Sequence, residues 1–384
     1  MRFWAVCFWA SALLIAHTYA LYPLILLVVD AVHPRRPDPP PAAADPTVTV
    51  VVPLFNEEAV VEEKIRNLAR TDYPAGKLNV LLGSDGSTDR TNAILSSGQW
   101  NSATRFVLFP ARRGKAALLN DLVAAADGEI IVFSDANATF APETIRRLTA
   151  PFAAPDVGAA VGELILDSNQ TAGGRGEGLY WRYENLLKRL ESNISTTIGA
   201  VGPVYAIRRA LYRPLPTDTA VMDDFLIPAE IIRRGFRVVY EPAALAYERP
   251  TNSVRGEFRR KARIGAANIQ GLPRFLPVLS PAYGFGAFAL WSHKILRWFV
   301  PVLLLVMGVA SAMLARGSTF FTAVALAEAA FIGVAALGAV LELLRVKPGL
   351  LGLPYYFVAT NAALLLGMVR GLRGAQAPAW DIVR

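Results

Sequence analysis

Long apolar segments lie at both ends of this 384-residue chain, and they constrain its fold more strongly than any other feature. One segment covers residues 3–29. Three more follow towards the C-terminus: 298–314, 320–344 and about 350–369. A helix of roughly 20 apolar residues is long enough to cross the hydrocarbon core of a bilayer. The sequence therefore predicts an N-terminal transmembrane helix over 1–32 and about three C-terminal transmembrane helices over 293–372.

The polar part of the chain lies between these ends and carries nearly all of the acidic residues. We predict a cytoplasmic catalytic domain over 47–252. A proline-rich linker over 33–46 precedes it, because clustered prolines stiffen a chain that has no regular structure. An interfacial, amphipathic stretch over 253–292 follows it, and residues 373–384 form a tail.

Basic residues beside the apolar segments predict how the chain is oriented. Arg345 and Lys347 follow the third segment, and cytoplasmic loops carry an excess of such residues. This pattern predicts a multi-pass protein of the inner (plasma) membrane that contacts its lipids. With four spans, however, Arg370 and Arg373 would fall on the opposite side, against the rule. A fifth span over 275–290 would remove that conflict but would misplace Arg345 and Lys347.

Composition excludes several classes of site. Cys7 is the only cysteine and lies in the first apolar segment, so no intramolecular disulfide and no cysteine-based metal site can form. The three histidines are far apart in the sequence, which argues against a zinc site. The formal net charge is +8, but its basic residues cluster beside apolar segments, so we expect membrane lipids and anionic substrates, and no nucleic acid, as partners.

Strand-like and helix-like segments alternate through the polar region. Four apolar strands are predicted: 47–53, 78–82, 105–109 and 129–134. Asn56 is predicted to cap a helix that ends near Arg70, Ser87 or Asp89 to begin a second, and 115–126 to form a third. Such alternation is typical of βαβ units and a doubly wound, mostly parallel α/β sheet. Ligands bind beyond the carboxyl ends of the strands in these sheets.

Polar residues follow each predicted strand at that edge, in four loops: 53–58, 83–89, 112–116 and 134–137. Asp85 can accept a hydrogen bond from a base or a ribose hydroxyl. Lys115 opens a helix, where its charge adds to the backbone amides that hold a pyrophosphate. Asp135 can bind a divalent cation. Each loop alone is also explained as a cap, a turn or a solvated basic stretch, but their repetition at four successive strand ends favours a nucleotide site.

The ordered motifs Val-Pro-Leu-Phe-Asn-Glu, Asp-Gly-Ser-Thr-Asp, Gly-Lys and Asp-Ala-Asn resemble those of family 2 inverting glycosyltransferases of the GT-A fold. The resemblance continues through Met222-Asp-Asp224 and 259–264, which are similar to the acidic pair and the Gln-x-x-Arg-Trp motif of cellulose, chitin and hyaluronan synthases. It also includes 199–209, the segment around His293 and Arg297, and Trp380.

The resemblance implies a role for each matching residue. Phe55, Glu57 and Asp85 would contact the nucleoside, and Lys115 would hold the donor head group. Asp135 would bind Mg²⁺ or Mn²⁺ with Asn137 beside it. Asp224, next to Asp223, would be the general base, and Arg263 would reach the diphosphate. The reaction would be a single displacement that inverts the anomeric centre of a nucleotide-sugar, with UDP as the expected nucleotide.

Two departures from the family pattern bear on the acceptor and the metal. Asn137 replaces the usual second aspartate, and Ile264 replaces the usual motif tryptophan. The sequence predicts a synthase that extends a polysaccharide. The alternatives are single addition to a lipid-linked, polyprenyl acceptor, which Ile264 favours, and an inactive nucleotide-sugar-binding scaffold. No partner subunit can be identified.

Overall fold

The computed structural model describes residues 1–33, 45–166, 172–220, 222–248, 254–344, 346 and 349–374. Most of the predicted linker and tail, together with Arg345, Lys347 and Trp380, lies outside these residues. The helices are α1 (Arg2–Ala16), α2 (Tyr22–Val32), α3 (Val61–Ala69), α4 (Thr91–Ser97), α5 (Lys115–Ala124), α6 (Thr144–Thr149), α7 (Ala172–Ile194), α8 (Asp223–Arg233), α9 (Val254–Phe275), α10 (Phe285–Ala289), α11 (Leu296–Ala315), α12 (Thr319–Leu343) and α13 (Gly352–Leu372).

The described strands form an eight-stranded sheet in the order β3-β2-β1-β4-β7-β6-β8-β5. They are β1 (Val48–Leu54), β2 (Leu78–Asp85), β3 (Thr104–Phe109), β4 (Ile130–Phe133), β5 (Thr139–Phe140), β6 (Val157–Leu166), β7 (Tyr205–Arg208) and β8 (Arg237–Glu248). β1 pairs in parallel with β2 and β4, and β2 in parallel with β3. The carboxyl ends of these four strands therefore lie at one edge of the sheet, as predicted.

The central strands β1 and β4 are covered on both faces, which explains their sequences, whereas the edge strand β3 is partly exposed. Every residue of β1 is buried, and β4 is buried throughout. A strand buried on both faces reads as an unbroken apolar run rather than an alternating one. Beyond β4 the sheet becomes mixed, because β7 pairs antiparallel with both β4 and β6. The result is an α/β domain with a mostly parallel sheet.

The described residues contain four helices long and apolar enough to cross a membrane: Arg2–Val32, Phe285–Ala315, Thr319–Leu343 and Gly349–Leu372. The first of these joins α1 and α2 through a π-helical turn, and the second joins α10 and α11 in the same way. Phe8 of α1 packs against Ala310, Leu314 and Phe321. Before Phe285, α9 and two 3₁₀ turns, Leu276–Leu279 and Pro281–Tyr283, lie in the stretch predicted to be interfacial.

Candidate active site

The loops after β1 and β2 are tied together by hydrogen bonds. Asn56 has a positive φ of 53°, which is uncommon for a residue other than glycine. Its side-chain oxygen accepts a hydrogen bond from the backbone amide of Thr88 at 2.8 Å, and its own backbone amide donates to Ser87 Oγ at 3.0 Å. The prediction that Asn56 caps α3 was wrong: α3 begins at Val61 without a side-chain cap. Asn56 instead fixes the distance between the two loops.

Two predicted nucleoside contacts lie in the first of these loops. The Glu57 amide donates to Thr91 Oγ1 at 2.8 Å. The Phe55 ring lies under the Arg112 guanidinium, 4.0 Å from ring centroid to Cζ. A cation over an aromatic face is electrostatically favourable. The loops after β1 and β3 therefore meet, and the nucleoside-binding roles of Phe55 and Glu57 stay predictions.

Asp85, at the end of β2, orders the loop that leads into α5. The side chain is fully buried, and its two oxygens accept from the amides of Arg113 at 2.9 Å and Gly114 at 2.8 Å. Gly114 has a φ of 98°, a conformation that glycine adopts without steric cost. Asp85 thus sets where Lys115, the first residue of α5, is placed. The sequence did not predict this role, because it depends on a turn 28 residues away.

Lys115 lies between two predicted site carboxylates. Its Nζ is 3.2 Å from Asp135 Oδ1 and 3.2 Å from Asp223 Oδ1. Burial lowers the pKa of Lys115, but the neighbouring carboxylates outweigh burial and hold the pKa above its usual value. Lys115 is therefore charged at neutral pH, and it joins the end of β4 to the start of α8.

A buried lysine supports the loop that carries Asp135. Lys64 of α3 is only 1% exposed, and its Nζ donates to Ser134 Oγ at 2.6 Å and to the Ala138 carbonyl at 2.5 Å. These two contacts bracket Asp135 in the sequence. Burial lowers the pKa of Lys64 to about 7. Lys64 was not among the predicted residues, because in the sequence it is one polar position of an amphipathic helix.

Asp223 and Asp224 form the first turn of α8, and both face this cluster. A Cβ at Gly202 would lie 3.6 Å from a carboxylate oxygen of Asp135 and 3.6 Å from one of Asp224, so the two carboxylates flank this glycine. Burial, and then the charge of Asp223, raise the pKa of Asp224 to about 7, against the opposing effect of Lys115. Asp224 therefore has the proton affinity of a general base that works near neutral pH.

Arg263 of α9 lies near enough to the cluster for its charge to interact with three of the cluster's carboxylates. Burial and Arg260 lower its pKa, while Asp135, Asp223 and Asp224 act in the opposite direction. Asn137, by contrast, is exposed, and its Nδ2 donates to Glu248 Oε1 at 2.8 Å. The structure thus brings five predicted residues together, and Asn137 lies to one side of them.

The cluster can offer oxygen ligands to a cation. No group of three or more histidine, cysteine or acidic side chains able to hold a metal occurs among the described residues. Mg²⁺ is usually bound by one or two carboxylates together with substrate phosphates. Asp135, a partly exposed carboxylate at the carboxyl edge of the sheet, fits that pattern, and a donor diphosphate would complete the ligand set.

A second, buried ion cluster connects the domain to the membrane helices. Glu184 of α7 contacts Lys294 at 3.0 Å and, more closely still, Arg297. His293 Nδ1 lies 2.6 Å from Glu191 Oε1, and its Nε2 lies 3.2 Å from Glu184 Oε1. Burial raises the pKa of Glu184, but the three basic groups outweigh it and hold the pKa well below its usual value. Lys294 also lowers the pKa of Asp224, so the apolar helix acts on the site directly.

Comparisons with known proteins agree with this geometry. Residues 49–213 match the family described as "Glycosyl transferase family 2". An N-acetylglucosaminyltransferase of Rhizobium leguminosarum bv. viciae is 27% identical over 61% of this chain and 58% of its own length. An N-acetylglucosaminyltransferase of Rhizobium meliloti is 24% identical over 70% of this chain and 69% of its own. The chain thus spans about three fifths of the length of the first of these relatives.

Among solved structures, the mannosyltransferase PcManGT from Pyrobaculum calidifontis, in complex with GDP-Man and Mn²⁺, superposes with a TM-score of 0.69. It is 27% identical, and the match covers 95% of this chain and 99% of that one. The fold is therefore the GT-A glycosyltransferase fold. Residues 49–213 therefore carry a family 2 glycosyltransferase domain.

Proposed function

We propose that the protein transfers a sugar from a nucleotide-sugar, with inversion, to a glycan that it extends at the cytoplasmic face of the inner membrane. The observation that carries the proposal is the single cluster of Lys115, Asp135, Asp223, Asp224 and Arg263 at the carboxyl edge of the sheet. The cluster contains a carboxylate that can act as a general base, a carboxylate that can bind a metal cation, and two basic side chains that can stabilise the charge of a leaving group. The ion cluster around Glu184 supports a site that works beside the membrane.

The reaction would follow from these positions. Asp224 takes the proton of an acceptor hydroxyl as that oxygen bonds to the anomeric carbon. The bond between this carbon and the diphosphate breaks, and the nucleoside diphosphate leaves with the electron pair. A single displacement of this kind inverts the anomeric centre. General-base assistance typically contributes about 10² to 10⁴ in rate.

The negative charge that develops on the diphosphate needs partners. Lys115 is held at the cluster by Asp135 and Asp223 and would turn to the phosphates when a donor binds, and Arg263 would add a second positive charge there. A divalent cation, Mg²⁺ or Mn²⁺, held by Asp135 and the donor would neutralise charge on the leaving group. The Mn²⁺ in the PcManGT complex supports this part of the proposal.

UDP-N-acetylglucosamine is the first donor to test. The rhizobial relatives named N-acetylglucosaminyltransferase support it, whereas the GDP-Man of PcManGT makes GDP-mannose the second. Neither name fixes the acceptor, because the chain spans only part of the rhizobial proteins. The class of donor, a nucleotide-sugar, is common to both.

Ile264 favours the alternative of single addition to a lipid-linked acceptor. It follows Arg263 on α9, where the processive synthases that this segment resembles carry tryptophan. An aromatic face stacks on a sugar ring, and an aliphatic side chain offers no such surface. A product longer than one added sugar would exclude this alternative.

The test is nucleotide release by the purified full chain in nanodiscs, with UDP-, GDP- and dTDP-sugars, Mg²⁺ or Mn²⁺ and membrane lipid extract as acceptor source. Asp224→Asn should lower the rate of release by about 10² to 10⁴ while calorimetry still detects donor binding. Asp218→Asn, which changes an exposed carboxylate, is the matched control and should behave as the wild type. Release at the wild-type rate in Asp224→Asn would overturn the proposed base, and sizing the product would separate polymer from single addition.

A further inference from the structure

The fourth apolar helix, Gly349–Leu372, starts beside the far end of α12. A Cβ at Gly338 would lie 2.6 Å from the Leu351 carbonyl and 3.0 Å from the Tyr355 side chain. Gly338 is 19 positions after Thr319, the first residue of α12. At 1.5 Å per residue that is about 28 Å, nearly the thickness of a bilayer core. The fourth helix therefore begins at the membrane face opposite Thr319.

That face is the one on which the catalytic domain lies. α1 and α11 run antiparallel: Phe8 packs against Leu314 near the Thr319 end, whereas His17 Nε2 lies 2.9 Å from Ser292 Oγ. From Ser292 the chain reaches His293 and Lys294, which contact α7 of the domain. Thr319 and the domain are thus at opposite ends of the membrane helices.

The end of the fourth helix lies on the catalytic side as well. A Cβ at Gly371 would lie 2.7 Å from the Ala266 carbonyl of α9, and one at Gly367 would overlap the Ala262 carbonyl. α9 is the helix that carries Arg263 to the catalytic carboxylates, and α13 also packs against α7. A helix that crossed the bilayer would instead end beside Thr319.

We infer that Gly349–Leu372 does not cross the membrane but lies in its catalytic-side interface, with the chain's last described residues on the same side as the active site. Leu366, Val369 and Leu372 are exposed at three-residue spacing, facing away from the glycines that contact α9. Such a face would rest in the lipid, as in other interfacial helices. Of the four apolar helices, three then cross.

This arrangement explains a charge pattern that four crossings leave unexplained. With four spans, Arg370 and Arg373 fall outside, against the positive-inside rule. With three, both lie on the side of the catalytic domain. Among the four apolar helices, this one also has the lowest mean hydropathy, as expected for a helix that stays at the interface.

The interfacial helix also positions Arg263. The absence of side chains at Gly367 and Gly371 lets the two helix backbones come into contact, as small residues do between membrane helices. A change in the depth or tilt of α13 would move α9, and with it the guanidinium that faces the carboxylates. The membrane surface is in this way part of the support of the active site.

Single-cysteine labelling tests the topology without relying on activity. In a Cys7→Ser background, Thr319→Cys, Ser96→Cys and Arg373→Cys mark the start of α12, the catalytic domain and the end of α13, and all three positions are exposed. Intact and opened cells are treated with a membrane-impermeant maleimide. Arg373→Cys should label together with Ser96→Cys and not with Thr319→Cys. Labelling of Arg373→Cys together with Thr319→Cys would overturn the inference.

The positioning role is tested by a matched glycine pair. Gly367→Val puts a side chain against the α9 backbone, whereas Gly333→Val in α12 has no atom within 4 Å of its new Cβ. A misplacement near 1 Å can cost about 10² in rate. Gly367→Val should lower kcat by about that factor, measured well below a melting temperature that also falls because the new Cβ would overlap the Ala262 carbonyl, whereas Gly333→Val should change neither. Equal kcat in both variants would contradict the positioning role. If Gly367→Val does not fold, Gly371→Ala, whose Cβ would lie 2.7 Å from the Ala266 carbonyl, replaces it in the same comparison with Gly333→Val.

Discussion

The candidate active site has two sides, here called walls, which are built differently. On one wall the loops after β1, β2 and β3 hold one another through hydrogen bonds between side chains and backbone amides, as Asn56 and Asp85 do. On the other wall, charged side chains from α8 and from the π-helical turn before α11 are held by opposite charges, and Arg263 of α9 interacts electrostatically with the carboxylates. The first wall is suited to a fixed nucleotide, the second to groups whose charge changes during reaction. Substitutions in the second wall should therefore have the larger effects.

The largest effect is expected for the base. Asp224→Asn removes proton acceptance without changing the shape of the side chain, so we expect the transfer rate to fall by about 10² to 10⁴. Donor affinity, measured by calorimetry, should remain within a few fold. A loss of donor affinity as large as the loss of rate would mean that Asp224 binds the nucleotide-sugar rather than acting as the base.

The pH dependence of the same residue sharpens the comparison. Burial and Asp223 raise the pKa of Asp224 to about 7, and a base must be deprotonated to act. The rate should therefore rise with pH up to about 7 and level off above it, falling about tenfold per unit on the acid side. The acid limb should be absent from the residual rate of Asp224→Asn. A rate that is flat between about pH 5 and 8 would contradict the assignment.

Glu184→Gln is expected to give the next largest effect, on stability. Glu184 contacts His293, Lys294 and Arg297 in a buried setting, and the substitution would leave these basic groups without their shared anion. Breaking a buried pair by removing one partner costs about 3 to 5 kcal/mol. Thermal unfolding in detergent should show a clear drop, whereas Glu62→Gln, in an exposed pair with Arg66, should leave the melting temperature nearly unchanged.

The difference between the walls also explains what the sequence could predict. Each donor-side residue follows its own strand, so the order of strands and loops was enough to predict Asp85, Lys115 and Asp135 at one edge. The contacts of the other wall join segments far apart in the chain, such as Lys115 with Asp223 and Glu184 with Arg297. Asp223, Asp224 and Arg263 were predicted only through the family resemblance, and Lys64 and Glu184 were not predicted.

Lys64→Met should have an intermediate effect, because it leaves Ser134 Oγ and the Ala138 carbonyl without their shared donor. An unsatisfied buried polar group costs about 1 to 3 kcal/mol. Lys77→Met, which removes a less buried lysine that donates to the Asp45 carbonyl, is the control. Mn²⁺ affinity should fall in Lys64→Met alone, since only this lysine holds the Asp135 loop.

The thermal stability of Lys64→Met should also depend on pH differently from that of the wild type. Burial lowers the pKa of Lys64 to about 7 in the folded protein, below its ordinary value of 10.5. Between these two pH values the unfolded chain binds more protons than the folded protein. The contribution of Lys64 to the free energy of unfolding therefore increases as the pH rises. Melting temperatures of the wild type and Lys64→Met, compared at increasing pH above about 7, should therefore diverge in favour of the wild type. Parallel curves would show that Lys64 keeps its ordinary pKa.

The smallest effect separates the two residues predicted to bind the cation. Asn137 is exposed and donates to Glu248, so Asn137→Ala should change Mn²⁺ affinity by no more than about twofold, as expected for a surface substitution. Asp135→Asn removes a charged oxygen ligand at the carboxyl edge of the sheet and should weaken Mn²⁺ binding far more, because divalent cations of this kind prefer carboxylates. Isothermal titration with Mn²⁺ and a nonhydrolysable donor analogue measures both variants. Equal losses would mean that Asn137 turns from Glu248 to the metal when the donor binds, and the cation site would then extend to both ends of the Asp-Ala-Asn motif.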